Sequence, residues 1–194
     1  MLKYTYHTVW YATEGLVVRK TKQDWLFAGL TLLGSTGSPD LTIDQLTDYL
    51  GVTKGSFYHH FKNYQVYVEQ MLTFWEEHYT AEVIRLAETT SDPLTIIDNL
   101  IKNLLSSTSG PEAAVRAWAL RDEDVRAHVL KIDQRRSAYL QQLFLAVTAD
   151  ENEARLMTNL LATMLIGCYS ILPRLTNEEV EQLYFEFKRL YKLI

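Results

Sequence analysis

Thr42 and, in the stretch from 53 to 62, Thr53, Lys54, Ser56, Tyr58, His59 and Lys62 can all donate hydrogen bonds. No Asp or Glu falls between Tyr49 and Val68, although the whole chain carries 24 acidic against 19 basic residues and a net charge of −5. Donors without competing acceptors suit a polyanion. Hydroxyl, ammonium and imidazole groups bind phosphate oxygens, and lysine also donates to the guanine acceptors of the DNA major groove. At a helix N-terminus, backbone N–H groups and the helix dipole add the same preference.

Other chemistries lack their residues. Cys168 is the single cysteine, which excludes an intramolecular disulfide and a cysteine zinc site. His59 and His60 are adjacent, so on a helix they point about 100° apart and do not converge on a metal. No Ser-His-Asp spacing, P-loop or dinucleotide fingerprint occurs. The expectation is a chain with no catalytic residue, no cofactor and no metal. The net charge argues against a general nucleic-acid coat, because non-specific binding rests on phosphate neutralisation. It leaves room for a regulator with a local basic face. No apolar run approaches the roughly 18 residues of a membrane span, so a cytoplasmic protein with no membrane partner is expected.

Two short helices and a tight turn must hold the donors. Thr42 and Gln45 have capping-box spacing, in which each side chain satisfies the other's backbone N–H. Ile43, Leu46 and Leu50 then share one helix face. Gly51 ends the helix, since glycine enters the left-handed region without a Cβ penalty. Val52 fills the corner, Thr53 is expected to cap the second helix, and Phe57 and Phe61 lie four apart on its buried side. The pattern is a helix–turn–helix with its second helix in the major groove.

The nine residues Thr42, Leu46, Gly51, Val52, Thr53, Gly55, Tyr58, His60 and Phe61 fall within a window of 20. In identity and spacing this stretch resembles the DNA-binding domain of the tetracycline-repressor (TetR) family of bacterial transcription regulators. The resemblance implies DNA contacts by Thr42, Thr53, Lys54, Gly55, Ser56, Tyr58, His59 and Lys62, with Gly55 admitting the backbone and Lys54 reaching a base. Thr47 and Leu50 replace alanines common in the family. Tyr64 replaces a common lysine, and Lys62 is expected to substitute for its phosphate contact.

The rest of the chain reads as further helices. Residues 1–20 are basic and without helical period, and a loose extension is favoured over an arm lying on DNA. A helix from Thr21 to Thr36 carries Trp25, Leu26, Gly29, Leu32 and Leu33 at helical spacing. Asn63 caps a helix expected to run unbroken from Tyr64 to Glu88, roughly 37 Å, a candidate lever. Asp92–Pro93, Pro111, Asp122, Asp150 and Thr176–Glu179 begin five more helices. The expectation is an all-α protein of about nine helices: an extension (1–20), a helix–turn–helix domain (21–66) and an effector-binding and dimerisation domain (67–194).

The family resemblance implies a homodimer that binds a double-stranded operator and releases it on binding an unidentified small apolar effector. Trp75, His78, Tyr79, Arg116, Trp118, His128, Tyr139, Met157 and Met164 are the expected pocket residues. The last two helices are broadly apolar, and Leu161, Leu165, Tyr169, Leu172, Leu183, Phe187 and Leu190 are the expected dimer contacts. A helical adaptor or a small helical enzyme is the rival reading. Neither predicts salt-dependent DNA binding, and the enzyme needs converging ionisable groups that no spacing here displays.

Overall fold

The computed structural model describes residues 19–36, 41–106, 110–170 and 175–193, and these are helical with no strand. Helix α1 (Lys22–Thr36) opens where the Asp24 carboxylate accepts from Thr21 N at 2.7 Å and Asp24 N donates to Thr21 Oγ1 at 3.3 Å. In α2 (Ile43–Leu50) both halves of the capping box form: Gln45 N donates to Thr42 Oγ1 at 3.2 Å, and Thr42 N to Gln45 Oε1 at 2.8 Å. Gly51, at φ 67°, turns the chain into α3 (Lys54–His60). Thr53 has the extended backbone of a cap, but its hydroxyl makes no capping bond, contrary to the sequence expectation.

Phe57 and Phe61 pack edge-on to Trp25, with ring centroids 5.4 and 6.5 Å away, and both also meet Tyr67. These four rings are fully buried or nearly so. Aromatic pairs of this geometry add to the stabilisation that burial alone gives. They fix α3 against α1 and α4 (Tyr64–Glu76), whose first turn is capped by Asn63 Oδ1 accepting from Val66 N at 2.9 Å.

The expected single helix from Tyr64 is interrupted. A π-helical turn, Glu77–Ala81, separates α4 from α5 (Glu82–Ala87), and Glu82 N bonds back five residues to Glu77 O. Then come α6 (Pro93–Ser106), α7 (Gly110–Ala119), α8 (Glu123–Thr148), α9 (Glu151–Ser170) and α10 (Asn177–Leu190). Asp92, Asp122, Asp150 and the Thr176–Glu179 box supply helix starts as their sequence positions imply. Counting α4, the π turn and α5 as one rod, the described residues form nine helices.

The hydrophobic core runs across the domain boundary expected at residue 66. One cluster joins Trp25, Phe57, Phe61 and Tyr67 of the head to Ala114, Val115, Trp118, Val125, Val129 and Ile132 of α7 and α8. Helix α1 lies along α7. A second cluster unites Ile97, Ile101, Phe144, Met157, Leu161, Tyr184 and Phe187, and a smaller one holds Val83, Ala87, Ile96 and Leu100.

Candidate nucleic-acid interface and internal cavity

Helix α3 separates its residues cleanly. Phe57 is 0% exposed while its neighbour Tyr58 is 57% exposed. Thr42, Thr53, Lys54, Gly55, His59 and Lys62 are exposed with Tyr58, and Ser56 is half-buried. A Cβ on Gly55 would meet only Thr53 Oγ1, at an ordinary 3.6 Å. Nothing inside the chain therefore requires glycine there.

The donor face is not free of acids in three dimensions. Lys54 Nζ lies 2.6 Å from Asp44 Oδ1 of α2, and this hydrogen bond and the Asp44 charge hold the lysine pKa above its ordinary value. Two basic residues before α1 also touch α3: Arg19 hydrogen-bonds His59, and His60 Nε2–H donates to Lys20 O at 2.9 Å. Tyr64 has a structural task. Its hydroxyl donates to Leu41 O at 2.5 Å, and burial, with a smaller effect from the Asp122 charge, pushes its pKa up to about 12. It straps the start of α4 to the approach to α2, and Lys62 beside it stays exposed.

Away from this head, a cavity of about 180 Å³ opens between the rod and helices α6 to α9. Val83, Ile84, Leu100, Leu104, Leu140 and Leu165 supply apolar walls. One end is ionic. Arg116 forms a bidentate pair with Asp133 at 2.7 and 2.8 Å and bonds Glu112 at 2.8 Å. Arg136 donates to Glu112 Oε1 at 3.0 Å, to Thr80 Oγ1 at 2.9 Å and to Tyr79 O at 3.5 Å, with its guanidinium over the Trp75 ring. Burial alone would lower the Arg116 pKa, but the Asp133 bonds and the two carboxylate charges outweigh it and hold the group firmly protonated. At the rim, the Tyr139 hydroxyl donates to Glu88 Oε1 at 2.8 Å, and burial together with this bond raises its pKa.

Of the expected pocket residues, Tyr79, Arg116 and Tyr139 line this cavity. The others are placed elsewhere. Trp75 and Trp118 belong to the core shared by head and body, Met157 is fully buried, and Met164 packs on the second core. His78 stacks on Phe74 with ring centroids 3.8 Å apart and bonds Phe74 O, and the half-buried His128 is not in the lining. Sequence reading missed Glu112, Asp133, Arg136 and Thr80. A signal existed in the Glu112–Arg116 pair, spaced i,i+4 on a short helix otherwise rich in alanine.

The expected dimer contacts also divide. Leu161 and Phe187 lie in the monomer core, and Leu165 faces the cavity, because α9 turns this face toward α8 and α10. Leu183 and Leu190 are exposed, Leu190 at 72%, and so are Leu156, Leu160 and Phe185. The Tyr169 side chain and Leu172 lie outside the described residues.

The fold is an aromatic-cored helix–turn–helix head continuous with a helical body that holds a cavity. Residues 26–65 match the family model for bacterial regulatory proteins, tetR family. Among solved structures, a TetR-family transcriptional regulator from Agrobacterium tumefaciens is 17% identical with a TM-score of 0.65, over 76% of this chain and 84% of that one. A transcriptional regulator of the TerR/AcrR family from Aquifex aeolicus VF5 is 14% identical with a TM-score of 0.68, over 90% of this chain and 99% of that one. A sequence comparison with curated proteins gives no match. The chain thus carries a tetR-family DNA-binding domain within the fold of TetR-type transcriptional regulators, as the residues from Thr42 to Phe61 implied. Among the described residues no helix is long and apolar enough to cross a membrane.

Proposed function

We propose that two copies of this chain bind a pseudo-palindromic DNA site through α3 and are released from it by a small molecule held in the cavity. The observation that carries this reading is the continuity of packing from one site to the other. Glu112 and Arg116 hold the polar end of the cavity, their helix α7 lies along α1, and α1 shares its buried rings with α3. A ligand that favours one spacing of these helices favours one spacing of the heads. A coupling of about 1–3 kcal/mol is typical for such switches. The rod offers a second route, since it begins beside α3 and its π turn, through Tyr79 and Thr80, reaches the cavity.

The exposed leucines Leu156 and Leu160 of α9 and Leu183 and Leu190 of α10 are the proposed dimer contacts. A two-fold pair of these helices would set the α3 helices about 34 Å apart, one turn of DNA. Repression in the cytoplasm, relieved by ligand, is the working model. A mobility-shift assay on duplex from upstream of the protein's own gene, at two salt concentrations, tests it. The expected result is a dimer complex whose affinity falls steeply with salt. Salt-independent binding, or none to any duplex selected from a random pool, would remove the regulator reading in favour of a helical adaptor.

A further inference from the structure

We infer that the cavity takes an uncharged, largely apolar molecule of about six to ten non-hydrogen atoms, by comparison with an apolar protein cavity of about 150 Å³ that accepts benzene. The inference rests on the proposed effector site and names the chemistry that site selects. Its ground is the closed ionic network at the cavity's polar end. Two arginines, Arg116 and Arg136, face two carboxylates, Glu112 and Asp133, so the four charges cancel. Each guanidinium is engaged on all three nitrogens: Arg116 by Glu112 and both Asp133 oxygens, Arg136 by Thr80, Glu112 and Tyr79 O.

An anionic ligand would either displace Asp133 from Arg116, leaving a half-buried carboxylate unpaired, or add a negative charge that the balanced network does not offset. A cationic ligand would have to draw Glu112 or Asp133 away from an arginine. Either exchange strands a charge in a partly desolvated site, which is costly. An uncharged molecule leaves the network intact and gains from the walls of Val83, Ile84, Leu100, Leu104, Leu140 and Leu165. Ser137, next in sequence to Arg136, adds one hydroxyl to the lining for a single polar group on the ligand.

The test is titration calorimetry of the full chain at pH 7 with three probes of one shape: benzyl alcohol, benzoate and benzylammonium. Benzyl alcohol is expected to bind about tenfold or more tightly than either ion, since an unpaired buried charge is penalised and an apolar ring is not. Equal or tighter binding of benzoate or benzylammonium overturns the inference, and so does failure of all three to bind. Ala162→Phe, which fills the lining, is expected to abolish benzyl alcohol binding. Asp133→Asn leaves the network one positive charge in excess and is expected to improve benzoate binding relative to the unmodified chain. The wild-type series decides the question even if either variant fails to fold. Mobility shifts with and without benzyl alcohol keep the two readings apart. Binding that leaves DNA affinity unchanged removes the effector role while supporting the ligand class, and a preference for an ion that also releases DNA does the reverse.

Discussion

Lys54, the residue expected to read a base, is already engaged in the free protein. Its ammonium sits 2.6 Å from Asp44, and the two side chains are 59% and 67% exposed. An ion pair so open to solvent contributes little to folding, so Asp44→Asn should leave the thermal midpoint nearly unchanged. With α3 on DNA as proposed, the same carboxylate is expected to act twice, holding the lysine back and then repelling the phosphates once the lysine has moved. A unit charge about 7 Å from a phosphate through water is repelled by about 0.6 kcal/mol before salt screening. Removing it, and freeing the lysine, should tighten DNA binding about 2- to 5-fold at about 0.05 M salt, with the gain fading as the Debye length shrinks. Lys54→Ala should weaken binding about 5- to 150-fold, as loss of one base contact does. The two residues are partners of each other, so the effects of their substitution should not add. Fluorescence anisotropy on a labelled duplex over a salt series measures all three proteins. A weaker complex with Asp44→Asn would mean that Asp44 positions Lys54 for DNA and does not compete for it. Unchanged affinity with Lys54→Ala would remove α3 as the reading helix.

Gly55→Ala should raise stability by up to about 1 kcal/mol in urea titrations, since glycine is unfavourable within a helix, while weakening DNA binding through lost close approach. Gly29→Ala should do the opposite of stabilise: its Cβ would overlap Tyr67 Oη and Met71 Sδ in a fully buried site, an overpacking cost of about 1–3 kcal/mol read from the urea midpoint. Tyr64→Phe removes the bond to Leu41 O and should cost about 0.5–1.5 kcal/mol at neutral pH. Because the folded-state pKa of Tyr64 is raised, its contribution is complete below about pH 10 and is lost as pH climbs to about 12; the Phe variant should lose less stability over that window. Arg136→Met breaks the links to Glu112, Thr80 and Tyr79 O. It should alter the change in DNA affinity that a cavity ligand produces, measured by mobility shift, while leaving unliganded affinity near wild type.

The head was legible because its decisions are local. Thr42 and Gln45 cap within one turn, Gly51 needs its left-handed backbone at one position, and Phe57 and Phe61 choose the buried side of a seven-residue helix. What escaped was set by distant partners. Asp133 and Arg116 are 17 residues apart and meet only because α7 folds back on α8. Leu160 and Leu161 are equally apolar, and a helix broad in leucine does not say which one it buries; the packing of α8 on α9 decides, and Leu161 is the one enclosed. Tyr64 departs visibly from the family pattern, but its use as a strap depends on Leu41, 23 residues earlier. The π turn leaves no trace at all in Glu77–Ala81, whose residues are ordinary for an α-helix.

That π turn gives the rod two phases. Each extra residue advances the side chains by about 100° around the axis, so the half that begins at Tyr64 and the half that ends at Ala87 follow registers one residue out of step. Met71 and Trp75 are packed in the first register, and Val83 and Ala87 in the second. Forcing all of these residues into regular α-helix would rotate the cavity side chains by about 100° away from their partners while the head kept its own, whereas deleting one residue between 77 and 81 would remove the wide turn and leave both halves facing as they do. The wide turn is therefore what reconciles the packing at the two ends of the molecule, whatever the identity of each residue within it.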